Sequence, residues 1–323
     1  MLRVAIIGAG TIVGQHIEAI AQIDRLITVA VADVRKERAQ EVANRYGVKA
    51  YTDYKVMLDK EKVDIAIVAL PHFLHKEVSI YCANMKCHIL MEKPMALDVE
   101  ECEEMILSAQ RNHIQLMVGL TQHYFKENRK AKELIRQGDM GELVMINDAR
   151  HQNYFVDTRP EWFFHKSQAG GGILTNLGAH SVDKIQWLLD CRVRKVSAHL
   201  SHHGNRGDIE GSGSVYLVTE SGIPATIVQS GYEGVPRHET HLIFTKGMLL
   251  LETGRGLWIS EKGSYKEVPI QETSGPYILQ LLDLLDAIDG VRPLECSGEY
   301  AKTVNSVIEG IYRSHELGTE VVI

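Results

Sequence analysis

Cysteine is scarce and unpatterned in this 323-residue chain. The five, Cys82, Cys87, Cys102, Cys191 and Cys296, make no CxxC pair and no regular framework. That argues against a metal–thiolate site or a disulfide scaffold, and for a reducing compartment. Excess basic charge is missing too: 35 Lys and Arg against 42 Asp and Glu give a formal net charge of −7. Such a balance argues against DNA wrapping or polybasic membrane binding, so neither nucleic acid nor membrane is expected as a partner. No apolar run approaches the ~18 residues of a membrane span. The opening MLRVAIIGAGT lacks the basic region and cleavage site of a secretory signal. It reads instead as a buried strand entering a glycine turn, and the expected location is cytoplasmic. Repeats, heptads and low-complexity tracts are absent. His202-His203 beside Gly204 reads as an exposed turn, since no carboxylate pair has ligand spacing around it, and no catalytic metal is expected.

What is present is an ordinary globular composition, 45% hydrophobic and 24% charged, with length for about two domains at roughly 150 residues each. Up to about residue 121 short apolar runs alternate with amphipathic segments. Strands are expected at 2–7, 26–32, 63–70, 88–91 and 114–119, and helices at 12–21, 36–46, 74–83 and 98–108. Asp98 followed by Glu101 suggests a reciprocal capping box. Near-continuous apolar strands separated by helices imply a doubly wound parallel sheet, a Rossmann domain over 1–121. The remainder, 122–323, reads as an α+β domain on a largely antiparallel open sheet. It has helices at 125–136, 175–189, 277–288 and 300–317, and consecutive strands from 193 to about 268. An apolar open sheet face wants a cover, and a second subunit is the expected one, as a homodimer or homotetramer.

The stretch Gly8-Ala9-Gly10-Thr11-Ile12-Val13-Gly14 lies where the first strand meets the first helix. Gly8 permits the tight turn and Gly10 the close approach of a pyrophosphate. Thr11 and Ile12 begin a helix whose N–H groups favour anions. The usual third glycine falls on Val13, with Gly14 one residue late. Asp33 ends the second strand 23 residues after Gly10, where an acid binds ribose hydroxyls and repels a 2′-phosphate. NAD is therefore favoured over NADP, although Arg35 two residues on offers a partner for that phosphate.

Two strand ends carry further chemistry. Leu70-Pro71 and Glu92-Lys93-Pro94 stand at carboxyl ends of parallel strands, where such sheets place ligands. Lys93 is suited to stabilise charge developing on a substrate oxygen, and Glu92 against a buried strand end needs a partner. Later, Gly170 to Gly172 reads as a flexible turn before a helix on which Asn176, His180 and Asp183 share a face that also meets Trp187. His180 is the natural acid–base group near neutral pH. Gln122, His123 and Tyr124 follow the last Rossmann strand, and Arg159 and Trp162 precede the glycine turn; these are candidate substrate contacts, with domain packing as the equal alternative for Arg159 and Trp162. His151, Asn153, Tyr154, His238 and His241 are further candidates for the pocket.

The glycine turn, the strand-end Asp33, Glu92-Lys93-Pro94 and Gly170 through His180 together resemble the Gfo/Idh/MocA oxidoreductase family over essentially the whole chain. Leu70-Pro71 with His75, Gly138 to Glu142, Pro293 to Gly298 and Tyr312-Arg313-Ser314 fit the same pattern. The resemblance implies an NAD(P)-dependent oxidoreductase acting on a secondary alcohol of a cyclic sugar, sugar derivative or inositol. It implies that Leu70, Pro71, His75, Glu92 and Lys93 join Gly8, Gly10, Thr11, Ile12, Asp33 and Arg35 around the cofactor, and that the Lys93-Pro94 bond is cis. It implies that His180 exchanges the hydroxyl proton while Lys93 stabilises the reacting oxygen. Many relatives carry aspartate where this chain has Asn176, which binds a hydroxyl but takes up no proton. Two alternatives stay open: a reductase of a non-sugar carbonyl, imine or dihydrodiol, and a non-catalytic dinucleotide sensor.

Overall fold

Strands that are apolar on both faces have to lie inside a layered sheet. In the computed structural model, which describes residues 1–204 and 206–323, six of them do. They are β1 (Leu2–Ile7), β2 (Leu26–Ala32), β3 (Lys49–Tyr51), β4 (Ile65–Val68), β5 (His88–Met91) and β6 (Leu116–Val118). All are parallel, in the order β3-β2-β1-β4-β5-β6. The connecting helices are α1 (Val13–Ile20), α2 (Lys36–Tyr46), α3 (Tyr54–Glu61), α4 (His75–Asn84) and α5 (Val99–Asn112). Strand order reverses between β1 and β4, which makes a crevice at the carboxyl ends there.

The second sheet begins after α6 (Lys126–Gln137) with β7 (Leu143–His151). The short α7 (Lys166–Ala169) and α8 (Ala179–Leu189) follow. Then come β8 (Val193–Ser201), β9 (Ser212–Thr219), β10 (Pro224–Ser230), β11 (Arg237–Phe244), β12 (Gly247–Glu252), β13 (Gly256–Glu261) and β14 (Ser264–Glu267). The chain ends with α9 (Pro276–Ile288), α10 (Gly298–Leu317) and β15 (Val321–Val322). Nine strands lie in the order β14-β13-β12-β11-β7-β10-β9-β8-β15, antiparallel except for the β7–β10 pair. On the inner face, matched register aligns Ile227, Asp148 and Thr240 in one row and Gln229, Arg150 and His238 in the next. No helix among the described residues is long and apolar enough to cross a membrane.

Several expectations change. The chain divides into two compact units, residues Met1–Thr121 with Ser274–Lys302, and Gln122–Thr273 with Thr303–Ile323. Segment 274–302, expected in the second domain, thus packs with the first: Tyr277 of α9 meets His16 edge-on, Arg25 pairs with Asp289 at 2.5 Å, and Gly298 lies against Ile106 and Leu116. The capping box is one-sided. Asp98 accepts from the Glu101 N–H, but Glu101 accepts from Leu97, one residue before the cap. The helix expected over 175–189 starts as a turn of π-helix at Leu174–Gly178 before α8. β3 and α3 were not expected at all.

β3 and α3 are held by polar contacts. The Glu61 side chain is 3% exposed and takes Arg3 at 3.2 Å, Lys49 at 2.9 Å and the Tyr51 hydroxyl. The Tyr51 and Lys49 hydrogen bonds hold its carboxyl below the ordinary value against the cost of burial. A carboxyl depressed by folding stabilises above its unfolded value, near 4.5, and that contribution is lost as pH falls through the lower folded value. Glu61→Gln is therefore expected to be less stable than the parent at pH 7 and to lose less further stability between about pH 5 and 3. Urea unfolding across that range tests this; parallel pH profiles for the two proteins would contradict it.

Candidate active site

In the first unit the carboxyl ends of β1, β2, β4 and β5 converge on one loop system. Gly8 has φ +103°, and a Cβ there would stand 2.2 Å from the Ala69 carbonyl oxygen, so the turn after β1 demands glycine. Open space faces Gly10. No side chain caps α1, whose N-cap is Ile12; of its first turn, the Val13 and Gln15 N–H groups bond the Gly10 and Ile12 carbonyls. Gly14, the displaced third glycine, serves packing: a Cβ would meet the Tyr46 hydroxyl at 2.9 Å, where Tyr46 bonds Glu18. Asp33 accepts from the Ala9 N–H at 2.9 Å and from the Arg35 N–H at 2.8 Å, tying the strand end to the glycine loop. Its oxygens keep lone pairs for hydroxyl donors. Tight turn, open cleft, uncapped helix and strand-end acid fit the pyrophosphate and ribose of a dinucleotide.

The Lys93-Pro94 bond is cis. Glu92 finds the partner its burial calls for in His16 of α1, at 2.9 Å, and its second oxygen accepts from the Lys93 N–H at 3.3 Å. Burial pushes the Glu92 carboxyl up, but His16 and Lys93 together hold it below the ordinary range. Gly119 leaves room for it, since a Cβ would stand 3.1 Å from Glu92 Oε2. His75 is fully buried, its ring nitrogens 2.9 Å from the carbonyl oxygens of Pro94 and Leu70. Burial holds its pKa down against those carbonyls. The neutral ring carries one N–H, so His75 hydrogen-bonds one of these strand-end loops and lies against the other. Leu70, Pro71 and Lys93 are half-buried at the same ends. His16 is the residue the sequence reading missed; its only signal is a polar side chain on the apolar face of the first helix.

In the second unit the glycine turn is closely packed, not flexible. A Cβ on Gly171 would stand 2.0 Å from the Tyr312 hydroxyl, and one on Gly172 would stand 2.1 Å from the Glu210 carbonyl oxygen. The Glu210 carboxylate accepts from the N–H groups of Gly172 and Leu174, both at 2.8 Å, and from the Tyr312 hydroxyl at 2.9 Å. Those bonds anchor the start of the π turn that carries Asn176. The Asn176 amide meets the hydroxyl of buried Tyr154 at 3.2 Å. His180 is half-buried one turn on. Asp183 is fully buried against His123 at 2.8 Å, with Trp187 stacked on that ring at 4.9 Å. The expected common face is thus divided, with Asp183 serving His123.

One turn beyond His180, Lys184 is wholly buried and pairs with Asp148 of β7 at 2.7 Å. Ser181 and Thr240 donate to the same carboxylate at 2.5 and 2.7 Å, and Gln229 donates to Ser181 at 3.0 Å. Burial pushes the Asp148 carboxyl up, and the Lys184 charge with these bonds more than offsets it. The other substrate-side candidates are placed unevenly. Gln122 and Tyr124 are 4% and 1% exposed; Gln122 is bonded to Asn128, and the Tyr124 ring lies under Arg129. Arg159 donates to the Tyr154 carbonyl at 2.7 Å and stacks over its ring at 3.8 Å, while half-buried Trp162 stacks on Phe163. Sequence reasoning missed Asp148, Lys184 and Glu210; for the first two, a charged residue inside an apolar periodic segment was the available signal, and Glu210 in its glycine-rich loop gave none.

Comparison with known proteins agrees with both units. Residues 2–120 match the family described as oxidoreductase family, NAD-binding Rossmann fold, and residues 128–250 match the GFO/IDH/MocA C-terminal domain. The chain is 25% identical over 319 residues to a myo-inositol 2-dehydrogenase of Thermotoga maritima, covering 93% of this chain and 92% of the relative. It is 30% identical over 203 residues to a D-glucoside 3-dehydrogenase of Escherichia coli, covering 61% of this chain and 57% of the relative. Among solved structures, an aldose-aldose oxidoreductase from Caulobacter crescentus complexed with glycerol superposes with TM-score 0.92 at 23% identity, over 100% of this chain and 99% of the other. With both halves matched and the glycine turn, strand-end acid and cis Lys93-Pro94 in place, the chain belongs to the Gfo/Idh/MocA family of oxidoreductases, with an NAD-binding Rossmann domain.

Proposed function

We propose that the protein is a dehydrogenase that oxidises a secondary alcohol of a cyclic sugar, sugar derivative or inositol, or reduces the corresponding ketone, with NAD preferred to NADP. The observation that carries this reading is the joint presence of Lys93 at the end of β5 and His180 at the start of α8, in a chain with an NAD-binding domain. The relatives named above for inositol and glucoside dehydrogenation support the substrate class. Bound nicotinamide supplies the hydride acceptor at C4.

The chain's own residues do the rest. The loop at Gly8–Ile12 and the α1 N-terminus hold the pyrophosphate, and Asp33 takes the ribose hydroxyls and disfavours a 2′-phosphate. The Lys93 ammonium, on a loop braced by Glu92–His16 and by His75, donates to the reacting oxygen and stabilises charge growing on it. His180 takes the hydroxyl proton in oxidation and returns it in reduction. Asn176, with no acid function, orients a hydroxyl by hydrogen bonding. Absorbance of reduced nicotinamide, followed across inositols, aldoses, amino sugars and sugar acids with either cofactor, tests this. Turnover with NAD is expected, falling roughly 10²- to 10⁴-fold in His180→Ala and Lys93→Ala. Turnover insensitive to both substitutions would overturn the reading.

We propose further that a second copy of the chain covers the outer face of the nine-stranded sheet. Met145, Tyr216 and Val228 are 37%, 45% and 40% exposed there, and register aligns Met145 with Ile243 and Ile243 with Met248. An apolar row of this kind is costly to leave in water. Light scattering on the eluted protein is expected to give a dimer or tetramer, and Tyr216→Lys with Val228→Glu a smaller species. A monomeric parent would contradict it.

A further inference from the structure

The inner face of the second sheet leaves one positive charge over. Where β7, β10 and β11 run side by side, Gln229, Arg150 and His238 stand directly opposite one another on the row next to Asp148. The basic groups around them have carboxylates: Lys184 has Asp148 at 2.7 Å, Arg237 has Glu239 at 2.6 Å and Arg255 has Glu252 at 3.4 Å. Arg150 is the exception. It is half-buried, forms no ion pair among the described residues, and its one hydrogen bond there is a long 3.4 Å contact to Gln152. Burial lowers the Arg150 pKa, and the charge that opposes this, Asp148, is already paired with Lys184, so one carboxylate faces two cations and the surplus suits an anion that arrives from outside.

His238 completes the arrangement. Lys184 Nζ lies a long 3.4 Å from His238 Nε2, and because an ammonium only donates, this contact favours the neutral ring with its hydrogen on Nδ1. Burial and the charges of Lys184 and Arg150 agree, pushing the His238 pKa down to about 3. Arg150 therefore offers a fork of N–H donors, His238 one more, and the Lys184–Asp148 pair behind them cancels internally. His180 and Lys184 are one turn apart on α8, so this donor set lies beside the turn that carries the proposed acid–base group.

We propose that Arg150 and His238 form a recognition site for a single carboxylate, and that the substrate is accordingly a carboxylated polyol, an aldonate or uronate, rather than a neutral sugar. One net positive charge suits a monoanion, and a guanidinium fork matches a carboxylate by two parallel hydrogen bonds. This deepens the dehydrogenase reading above and rests on it.

The test compares D-gluconate and D-glucuronate with D-glucose and glucose 6-phosphate, using the full chain and NAD. The acids are expected to show the higher kcat/KM. In Arg150→Gln the ratio of acid to neutral kcat/KM is expected to fall about 10- to 100-fold, mainly through KM, as for a lost charged hydrogen bond. Arg150→Lys should recover part of the ratio, and thermal unfolding of each variant checks that the fold persists. Preference for glucose or the phosphate, or a ratio that Arg150→Gln leaves unmoved, overturns the proposal. Calorimetric titration of gluconate and glucuronate into the NADH-saturated protein separates the two readings. Binding that depends on Arg150 without turnover supports the carboxylate site and counts against dehydrogenation. Acids that neither bind nor react overturn the site.

Discussion

The ion pair between Lys184 and Asp148 is the constraint on which the second unit turns. An ammonium and a carboxylate, both essentially without solvent exposure, bear on each other only if the helix and the strand that carry them keep one register. Ser181 and Thr240 fill the remaining lone pairs of Asp148, so the network is closed from α8, β7 and β11 at once. His180 sits one turn before Lys184, and its position follows from that lock. A partly satisfied network of this kind costs more than an apolar core; here both Asp148 oxygens are partnered, while Gln229 Oε1 is left buried without a hydrogen bond among the described residues.

The same economy governs the two loops that carry chemistry. At the end of β5 a histidine from α1 and the space left by Gly119 hold the Glu92 carboxylate, and through it the backbone of Lys93. At the start of the π turn, Glu210 and Tyr312 receive the N–H groups of a glycine run that admits no Cβ. π turns are rare and recur at functional positions. Here the π turn sets Asn176 against the Tyr154 hydroxyl, and α8 then displays His180. In each case an acid drawn largely out of water organises the backbone of the loop.

Much of the first unit was legible because its signals are local. Apolar runs at 2–7, 26–32 and 88–91 became β1, β2 and β5 with the expected bounds, and Gly47 and Gly138 close α2 and α6 in the left-handed region. β3 and α3 were illegible because they are short: α3 buries only Met57 and Leu58 as apolar anchors, and a Glu61 cluster supplies the rest of the contact. The return of 274–302 to the first unit was hidden for a different reason: a helix pattern states what is apolar, not which sheet will cover it. Motifs made the site's outline visible, while His16, Glu210, Lys184 and Asp148 are partners whose meaning depends on long-range contact. Arg150 carries no signal of its own in the sequence; its significance is that it shares a single carboxylate, Asp148, with Lys184, which is a property of neighbouring elements together.

A double-mutant cycle on the Lys184–Asp148 pair tests the central claim most directly. Unfolding free energies would be measured for Asp148→Leu, Lys184→Met and the combined variant. Each single change strands a buried charge and is expected to cost about 3–5 kcal/mol, whereas the apolar pair removes both charges together. The combined loss is expected to be smaller than the sum of the singles by about 2 kcal/mol or more. Additive losses would show that the two charges do not depend on each other and that α8 is held in register by something else.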